Sequence, residues 1–275
     1  MNPKSSARTV QISLSQLAKK LLILAILLSV MAVAATPSWA SQPFRPGRGF
    51  VLRKEIKGAQ LTASDTYTVR LYTKRDGKSP YDKSLLLAVV NEKSGETHAI
   101  QPAEVAGYEA DIELAHFRDK QRTEIFLSMD SGGSGGYGYY YVVAFDGRAG
   151  HFLYRSDSDR LPYRVQGFFL DNFRCLVKVG GTHREAVIDL TSRKNTFIEA
   201  GVYDQSGKRQ RQIELDVDPF SAMRPVDTNG DGIHELRGTA AYSAVFHANG
   251  ICTATFTQSY VKGRWRLVDA EIAPR

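Results

Sequence analysis

Residues 227–237 read Asp-Thr-Asn-Gly-Asp-Gly-Ile-His-Glu-Leu-Arg and lead into a β-prone run at 238–246. An earlier stretch, residues 116–126, is weakly similar: both follow an apolar residue and end in Glu plus an aliphatic residue, and both enter such a run. The two stretches start 111 residues apart. That separation corresponds to two units of about 50–60 residues, the size of a four-stranded propeller blade.

Outward from this pair, the chain alternates between short β-prone runs and turn residues such as Asp-Gly and Gly-Gly, a pattern typical of β-strands. No stretch after residue 40 has a helical period. Even spacing predicts an all-β sandwich, barrel or propeller, and the repeat favours a small propeller-like array of about four or five four-stranded blades. Predicted strands include 67–72, 84–90, 125–129, 139–145, 164–170, 174–179, 186–190, 251–258 and 264–271.

The first forty residues predict export. Lys19 and Lys20 precede an apolar run at 21–35, and the small-x-small sequence Ser38-Trp39-Ala40 follows, which is the layout of a secretory signal peptide. The alternative is an uncleaved anchor, but the run is shorter than the ~20 residues that cross a bilayer. We therefore expect a signal peptide over 1–40, a lead-in at 41–49 and a single all-β domain over 50–275. The product would be periplasmic or extracellular, with no membrane span after cleavage.

The charge distribution argues against a nucleic-acid-binding protein, and the cysteine positions argue against a cysteine-based zinc site. The net charge is +7, but residues 41–275 hold 32 basic and 29 acidic residues, and their longest basic run is the short stretch 208–211. A nucleic-acid partner is therefore not expected. Cys175 and Cys252 have no C-x-x-C partner or His at zinc spacing. Export permits a disulfide between them, and the sequence leaves that pairing open.

The stretch at 227–235 predicts a metal site. Asp227, Asn229 and Asp231 alternate so that their side chains converge, Gly232 permits a tight turn, and Glu235 closes the set. Such oxygen-rich spacing suits Ca²⁺. A helical EF-hand would need Glu at its twelfth position, which is Gly238 here, so the pattern favours a shorter loop between strands. An ordinary hairpin is the alternative, because Asn-Gly and Asp-Gly are strong turn formers.

This motif resembles the D-x-N-G-D-G-x-x-D/E-L signature of FG-GAP/VCBS repeats, the calcium-binding blades of integrin-like β-propellers. Residues 124–147 and 219–235 also resemble exported bacterial VCBS-repeat proteins, and the likeness covers roughly 105–270. It implies Ca²⁺ ligands at Asp227, Asn229, Asp231 and Glu235, with the Ile233 carbonyl. The last ligand is Glu where Asp is common. In the earlier repeat His116, Arg118 and Lys120 replace carboxylates, which predicts a metal-free structural loop.

The preferred interpretation is a non-enzymatic binding protein with no catalytic residue, whose partner is a protein or glycan at the cell surface. A secreted hydrolase is the alternative. Gly132-Gly-Ser134-Gly-Gly136 matches the nucleophile elbow G-x-S-x-G, but a β-prone run follows where a helix is needed. The following tyrosines form either a binding surface or a packed strand. Paired acids at 157/159 and 216/218 are possible glycosidase carboxylates or solvated turns, and none of the six histidines has metal-binding spacing.

Overall fold

The computed structural model describes residues 44–75, 77, 79–102, 105–133, 135–157 and 163–275. Over these residues the chain is all-β, as predicted, and it forms four antiparallel sheets, none of which closes on itself. In every sheet the strands lie side by side in chain order, because short turns join consecutive strands into meanders. The predicted signal peptide, and its cleavage site, lie outside the described residues.

Counted over the described residues, three sheets have four strands and one has three. Sheet 1 contains β1 (Phe50–Ala59), β2 (Tyr67–Arg75), β3 (Asp82–Asn91) and β4 (Thr97–Ile100). Sheet 2 contains β5 (Tyr108–Asp119), β6 (Arg122–Asp130), β7 (Gly138–Phe145) and β8 (Gly150–Arg155). Sheet 3 contains β9 (Val165–Leu170), β10 (Arg174–Val179) and β11 (Glu185–Asp189). Sheet 4 contains β12 (Asp216–Val226), β13 (Glu235–Ala244), β14 (Phe246–Val261) and β15 (Arg264–Pro274).

Sheet 2 is buried on both faces, which explains its nearly unbroken apolar strands. Successive side chains in a strand point to opposite faces. Ile125 and Leu127 of β6 therefore enter one core, shared with sheet 1, and Phe126 enters another. Tyr141 and Val142 of β7 are divided in the same way. The first is core 1, between sheets 1 and 2; the second is core 2, among sheets 2, 3 and 4.

Where the structure describes the chain, it contains one short α-helix, Lys194–Glu199, which follows a 3₁₀ turn at Thr191–Arg193 and buries Phe197 in core 2. No helix was predicted here, because six residues are too few for a helical period to be recognised. Within the described part of the chain, no helix combines the length and apolar character needed to cross a membrane.

Candidate functional site

The oxygen-rich loop predicted from the sequence joins β12 to β13, the first two strands of sheet 4. Gly230 and Gly232 turn the chain with φ of 73° and 80°, values that glycine adopts without a Cβ clash. The Asp227 carboxylate accepts backbone N–H bonds from Gly230 at 2.8 Å, Asp231 at 3.1 Å and Gly232 at 2.9 Å. Asp227 therefore folds the loop around its own side chain.

Asn229 and Asp231 lock the middle of the same loop. The Asp231 carboxylate accepts the Ile233 N–H at 2.7 Å and the Asn229 side-chain amide at 3.0 Å. The hydrogen bond from Ile233, followed by that from Asn229, lowers the pKa of Asp231, because both stabilise the charged carboxylate. Asp231 is therefore ionised near neutral pH, as a cation ligand must be.

Glu235 differs from the other predicted ligands because it is buried, with 5% of its surface exposed. One carboxylate oxygen accepts both the N–H of Thr228 at 3.1 Å and its hydroxyl at 2.6 Å, and the Ser259 hydroxyl lies 3.3 Å from the other oxygen. These donors compensate for the loss of hydration on burial. They also turn the glutamate back towards the start of the loop.

The donor set of this loop is oxygen only, which is what Ca²⁺ prefers. In the described residues, no three or more His, Cys, Asp or Glu side chains converge in metal-binding geometry. The loop carboxylates instead accept N–H and O–H bonds from their neighbours. Each carboxylate oxygen has more than one lone pair, so these bonds leave positions at which a cation can be coordinated. The residues fit the ion chemically, and Asp227, Asn229, Asp231, Ile233 and Glu235 are those that would hold it.

The weakly similar loop between β5 and β6 shares a hydrogen-bond pattern with this one. Glu124 is completely buried and accepts the N–H of Phe117, seven residues earlier, at 2.8 Å. Glu235 accepts the N–H of Thr228, also seven residues earlier. In the earlier loop the second donor is a cation, since the Arg118 Nε lies 2.5 Å from the Glu124 carboxylate.

The two loops touch. The N–H of His234 donates to the carbonyl of His116 at 2.6 Å, and the rings of these histidines are 6.4 Å apart. A Cβ added to Gly232 would lie 3.6 Å from Cε of Lys120, so the Lys120 side chain runs beside the later loop. The Lys120 charge is a further, smaller cause of the lowered Asp231 pKa. Sheet 2 thus contributes a positive charge to the environment of the predicted calcium loop.

A groove of about 810 Å³ opens beside core 2, within the size range of small-ligand sites. Residues 163–168, which include the first four residues of β9, line it together with residues 212–215 and 217–220. Ser156, Asp157 and Tyr242 complete the lining.

Three side chains from distant parts of the chain meet beside this groove. Asp218, which lines it, lies 3.0 Å from Nδ1 of His247, and Nε2 of His247 lies 3.2 Å from the Tyr137 hydroxyl. Burial, with the neighbouring Asp218 charge second, raises the pKa of Tyr137, so its phenol stays protonated. The contacts from Asp218 to His247 and from His247 to Tyr137 connect the glycine-rich segment before β7 to sheet 4. The sequence analysis did not predict these contacts, because the three residues are far apart in sequence.

The residues of the hydrolase alternative are only partly covered. Ser134 and Asp159 lie outside the described residues. Asp157 lines the groove together with Asp218 and pairs with Arg155 at 2.9 Å, whereas Asp216 is exposed at the start of β12. The structure therefore brings one member of each acidic pair to the same groove.

Cys175 and Cys252 are both free and fully buried in core 2. Burial raises the pKa of each thiol to about 12, because the charged thiolate is poorly stabilised in an apolar environment. Both thiols are therefore protonated and unreactive in the folded chain.

Comparisons with known proteins find similarity to YybI sequences. A family model described as the YybI C-terminal domain matches residues 163–273, which hold most of sheets 3 and 4. The uncharacterized protein YybI of Bacillus subtilis (strain 168) is 26% identical over 175 residues, covering 63% of this chain and 66% of that protein. The chain thus spans just under two thirds of that relative's length. No solved structure matches it. In its last two sheets, then, the chain is similar to the YybI C-terminal domain.

Proposed function

We propose that this chain is an exported calcium-binding protein that acts by binding a protein or glycan at the cell surface and catalyses no reaction. The loop from Asp227 to Glu235 carries the proposal. Its backbone turns bring four oxygen-bearing side chains to one hairpin, and Glu235 is held in place from outside the loop by Ser259. Weak, millimolar-range Ca²⁺ sites are typical of exported modules.

We further propose that the four meanders are blades of an FG-GAP/VCBS-like propeller. The strand order within sheets 1, 2 and 4 supports this idea, since a blade is a meander of four consecutive strands; sheet 3 has the same meander order with three described strands. The position of the oxygen-rich loop supports it too, because the loop joins the first two strands of sheet 4, and its weak repeat joins the first two strands of sheet 2. Export is proposed from the layout of residues 1–40, and N-terminal sequencing of secreted material should then begin at Ser41.

The calcium proposal is tested by thermal melting of the exported protein, produced from the complete gene and purified from the material that the cells export. At about 10 mM Ca²⁺ and a Kd of 10⁻⁴–10⁻³ M, binding to the folded state alone stabilises by roughly 1.4–2.7 kcal/mol. For a chain of this size the melting temperature should rise by roughly 3–10 °C. EDTA should reverse the rise, and Asp231→Ala should abolish it.

Asp204→Ala is the matched control. Asp204 also sits in an exposed turn and also accepts backbone N–H bonds, from Ser206 at 2.9 Å and Lys208 at 3.0 Å. Losing this turn should lower the melting temperature but leave the calcium response unchanged. The loop would be shown to be only a turn by either of two results. The melting temperature of the wild type would not change when Ca²⁺ is added, or the Asp231→Ala variant would still show the rise.

The second candidate is a hydrolase, and the meeting of Asp157 and Asp218 at one groove favours it. Two carboxylates across a groove can serve as acid and base in glycoside hydrolysis. Release of reducing sugar from envelope glycans, lost in both Asp157→Asn and Asp218→Asn, would establish this activity. The alternative is a hydrolase with Ser134 as its nucleophile. Labelling by a serine-directed probe that disappears in Ser134→Ala would establish that activity.

A further inference from the structure

Among the described residues, no strand pairs with the outer edge of β9, the first strand of sheet 3. Sheet 3 has three described strands in the order β11-β10-β9, whereas each of the other sheets has four. The groove runs along β9, whose residues 165–168 line it. An edge strand presents unpaired N–H and C=O groups, and these are a template for pairing with another strand.

The hydrogen-bond alternation shows which groups point outward. The carbonyl of Arg164 accepts the N–H of Gly180, next to β10, at 2.8 Å. In an antiparallel pair, alternate residues bond to the same neighbour. The even-numbered residues of β9 therefore face β10. Val165, Gly167 and Phe169 direct their N–H and C=O groups away from it.

A side-chain amide already forms hydrogen bonds with part of this edge, in the way that the backbone of a neighbouring strand would. The side-chain amide of Gln212 accepts the Phe169 N–H at 2.9 Å and donates to the Phe169 carbonyl at 2.8 Å. Val165 and Gly167 have no such partner in the described part of the chain. A Cβ on Gly167 would lie 2.8 Å from Leu215, and because Cβ atoms point out of the sheet plane, Leu215 covers the face of β9.

The groove contains both apolar and polar contacts that a peptide could use. Phe168 and Val217 line it with 38% and 49% of their surfaces exposed. The Tyr242 side chain is 2% exposed and lines the groove, yet its hydroxyl has no hydrogen-bond partner among the described residues. A buried hydroxyl without a partner is costly, so an incoming backbone or side-chain polar group would satisfy it.

The charge of the groove selects the kind of peptide. Asp157 and Glu214 line it but are paired with Arg155 at 2.9 Å and with Arg164 at 3.8 Å. Asp218 also lines it, with a side chain 11% exposed, and its neighbour is a histidine, His247 at 3.0 Å, and not an arginine or lysine. A basic side chain of the ligand therefore fits beside Asp218 better than an acidic one.

We propose that β9 is a peptide-binding edge, where an extended segment of a partner protein with alternating apolar residues and at least one Lys or Arg pairs with Val165 and Gly167. The segment becomes the fourth strand of sheet 3. Main-chain hydrogen bonds supply affinity, and the groove supplies side-chain specificity. This deepens the proposed binding role by naming a protein partner, but it does not depend on the calcium loop.

The experiment pans the full exported chain against a random dodecapeptide phage library in EDTA. Enriched peptides should alternate apolar residues and carry a basic residue. The most enriched sequence is then synthesised, and its Kd is measured by fluorescence anisotropy. Val165→Pro removes one outward N–H at the first residue of an edge strand, where proline is tolerated, and it should weaken binding about five-fold or more. Val165→Ala, which keeps the N–H, is the matched control.

A second measurement does not depend on a protein variant folding. Single N-methyl groups are placed along the peptide: those on residues that bond to β9 should abolish binding, and those on the alternate residues should not. Asp218→Asn should weaken the basic peptide several-fold. The proposal is overturned if no peptide is enriched, if N-methylation has the same effect at every position, or if Val165→Pro binds as Val165→Ala does.

Self-association is the competing occupant of this edge. A concentration-dependent dimer in sedimentation that disappears in Val165→Pro would assign the edge to a second copy of the chain and overturn the peptide partner. Because panning is done in EDTA, peptide binding without a calcium response would overturn only the calcium proposal. A calcium response without peptide binding would overturn only this inference.

Discussion

Replacing Arg118 with alanine should destabilise the protein strongly, because it leaves the Glu124 carboxylate buried without its cation. The Glu124 side chain is 0% exposed and that of Arg118 is 25% exposed, with Nε and the carboxylate oxygen 2.5 Å apart. Removing one partner of such a buried pair costs roughly 3–5 kcal/mol. At the lower end, about 3 kcal/mol, the melting temperature should fall by roughly 6–12 °C.

The same hairpin provides the control for this prediction. Arg122 pairs with Asp119 at 2.6 Å, but these side chains are 40% and 33% exposed. Solvent screens such pairs, so Arg122→Ala should cost only about 0–1 kcal/mol. Both variants lose one arginine from one turn, and they differ mainly in the burial of the partner carboxylate.

Urea unfolding of the full chain measures both costs. Glu124→Gln in the Arg118→Ala background should recover part of the loss, since the amide can still accept the Phe117 N–H without burying a charge. If Arg118→Ala costs no more than Arg122→Ala, then Glu124 is not held by Arg118. The inference that the Arg118 guanidinium compensates the buried charge of Glu124 would then be wrong.

Three further outcomes are expected. Thr228→Val removes a 2.6 Å hydroxyl bond to buried Glu235 and should cost about 2 kcal/mol in urea unfolding; Thr228→Ser should not. Hydrogen bonds from the Ala149 N–H, His151 and the Arg148 N–H lower the pKa of Asp146 below 3.8. The stability of that turn is therefore present above pH 3.8 and lost as pH falls through the native pKa. Amide exchange at Ala149, expressed as protection relative to the intrinsic exchange rate at each pH, would detect the loss; protection that stays constant in acid would contradict it. Both cysteines should resist Ellman's reagent in the native protein, and two thiols should react after unfolding without reductant; none would indicate a disulfide.

Much of the fold could be predicted because strand and turn chemistry are local. The predicted strand at 174–179 coincides with β10, and the glycines that follow it supply its turn. The number of strands in each sheet and the packing of the sheets could not be predicted in the same way, because they depend on contacts between distant parts of the chain. For example, residues 212–215 pass beside β9, where Gln212 pairs with Phe169 and Leu215 covers the face of the strand, and that placement depends on long-range contacts.

The candidate loop was found because its ligand spacing is contained within nine residues. The groove and the Asp218–His247–Tyr137 chain were missed for the opposite reason, since each assembles residues that are far apart in sequence. The earlier loop lies between these cases. The sequence showed that Glu124 matches Glu235 in position, but only the structure shows that Arg118 turns inward to neutralise it.

The two-sided burial of sheet 2 has a consequence for the modularity of this chain. Core 2 takes the side chains of Ala115, Phe117, Phe126, Tyr140, Val142 and Tyr154 from sheet 2. The stretch 163–273, recognisable as a unit by sequence similarity, therefore does not enclose its own interior. Cut out at Tyr163, it would expose Trp265, whose ring lies 5.4 Å from that of Phe117 and 6.2 Å from that of Tyr154 in sheet 2, and exposed apolar surfaces promote aggregation. The unit of sequence similarity is thus smaller than the unit that can fold autonomously, and a self-sufficient fragment would have to include sheet 2.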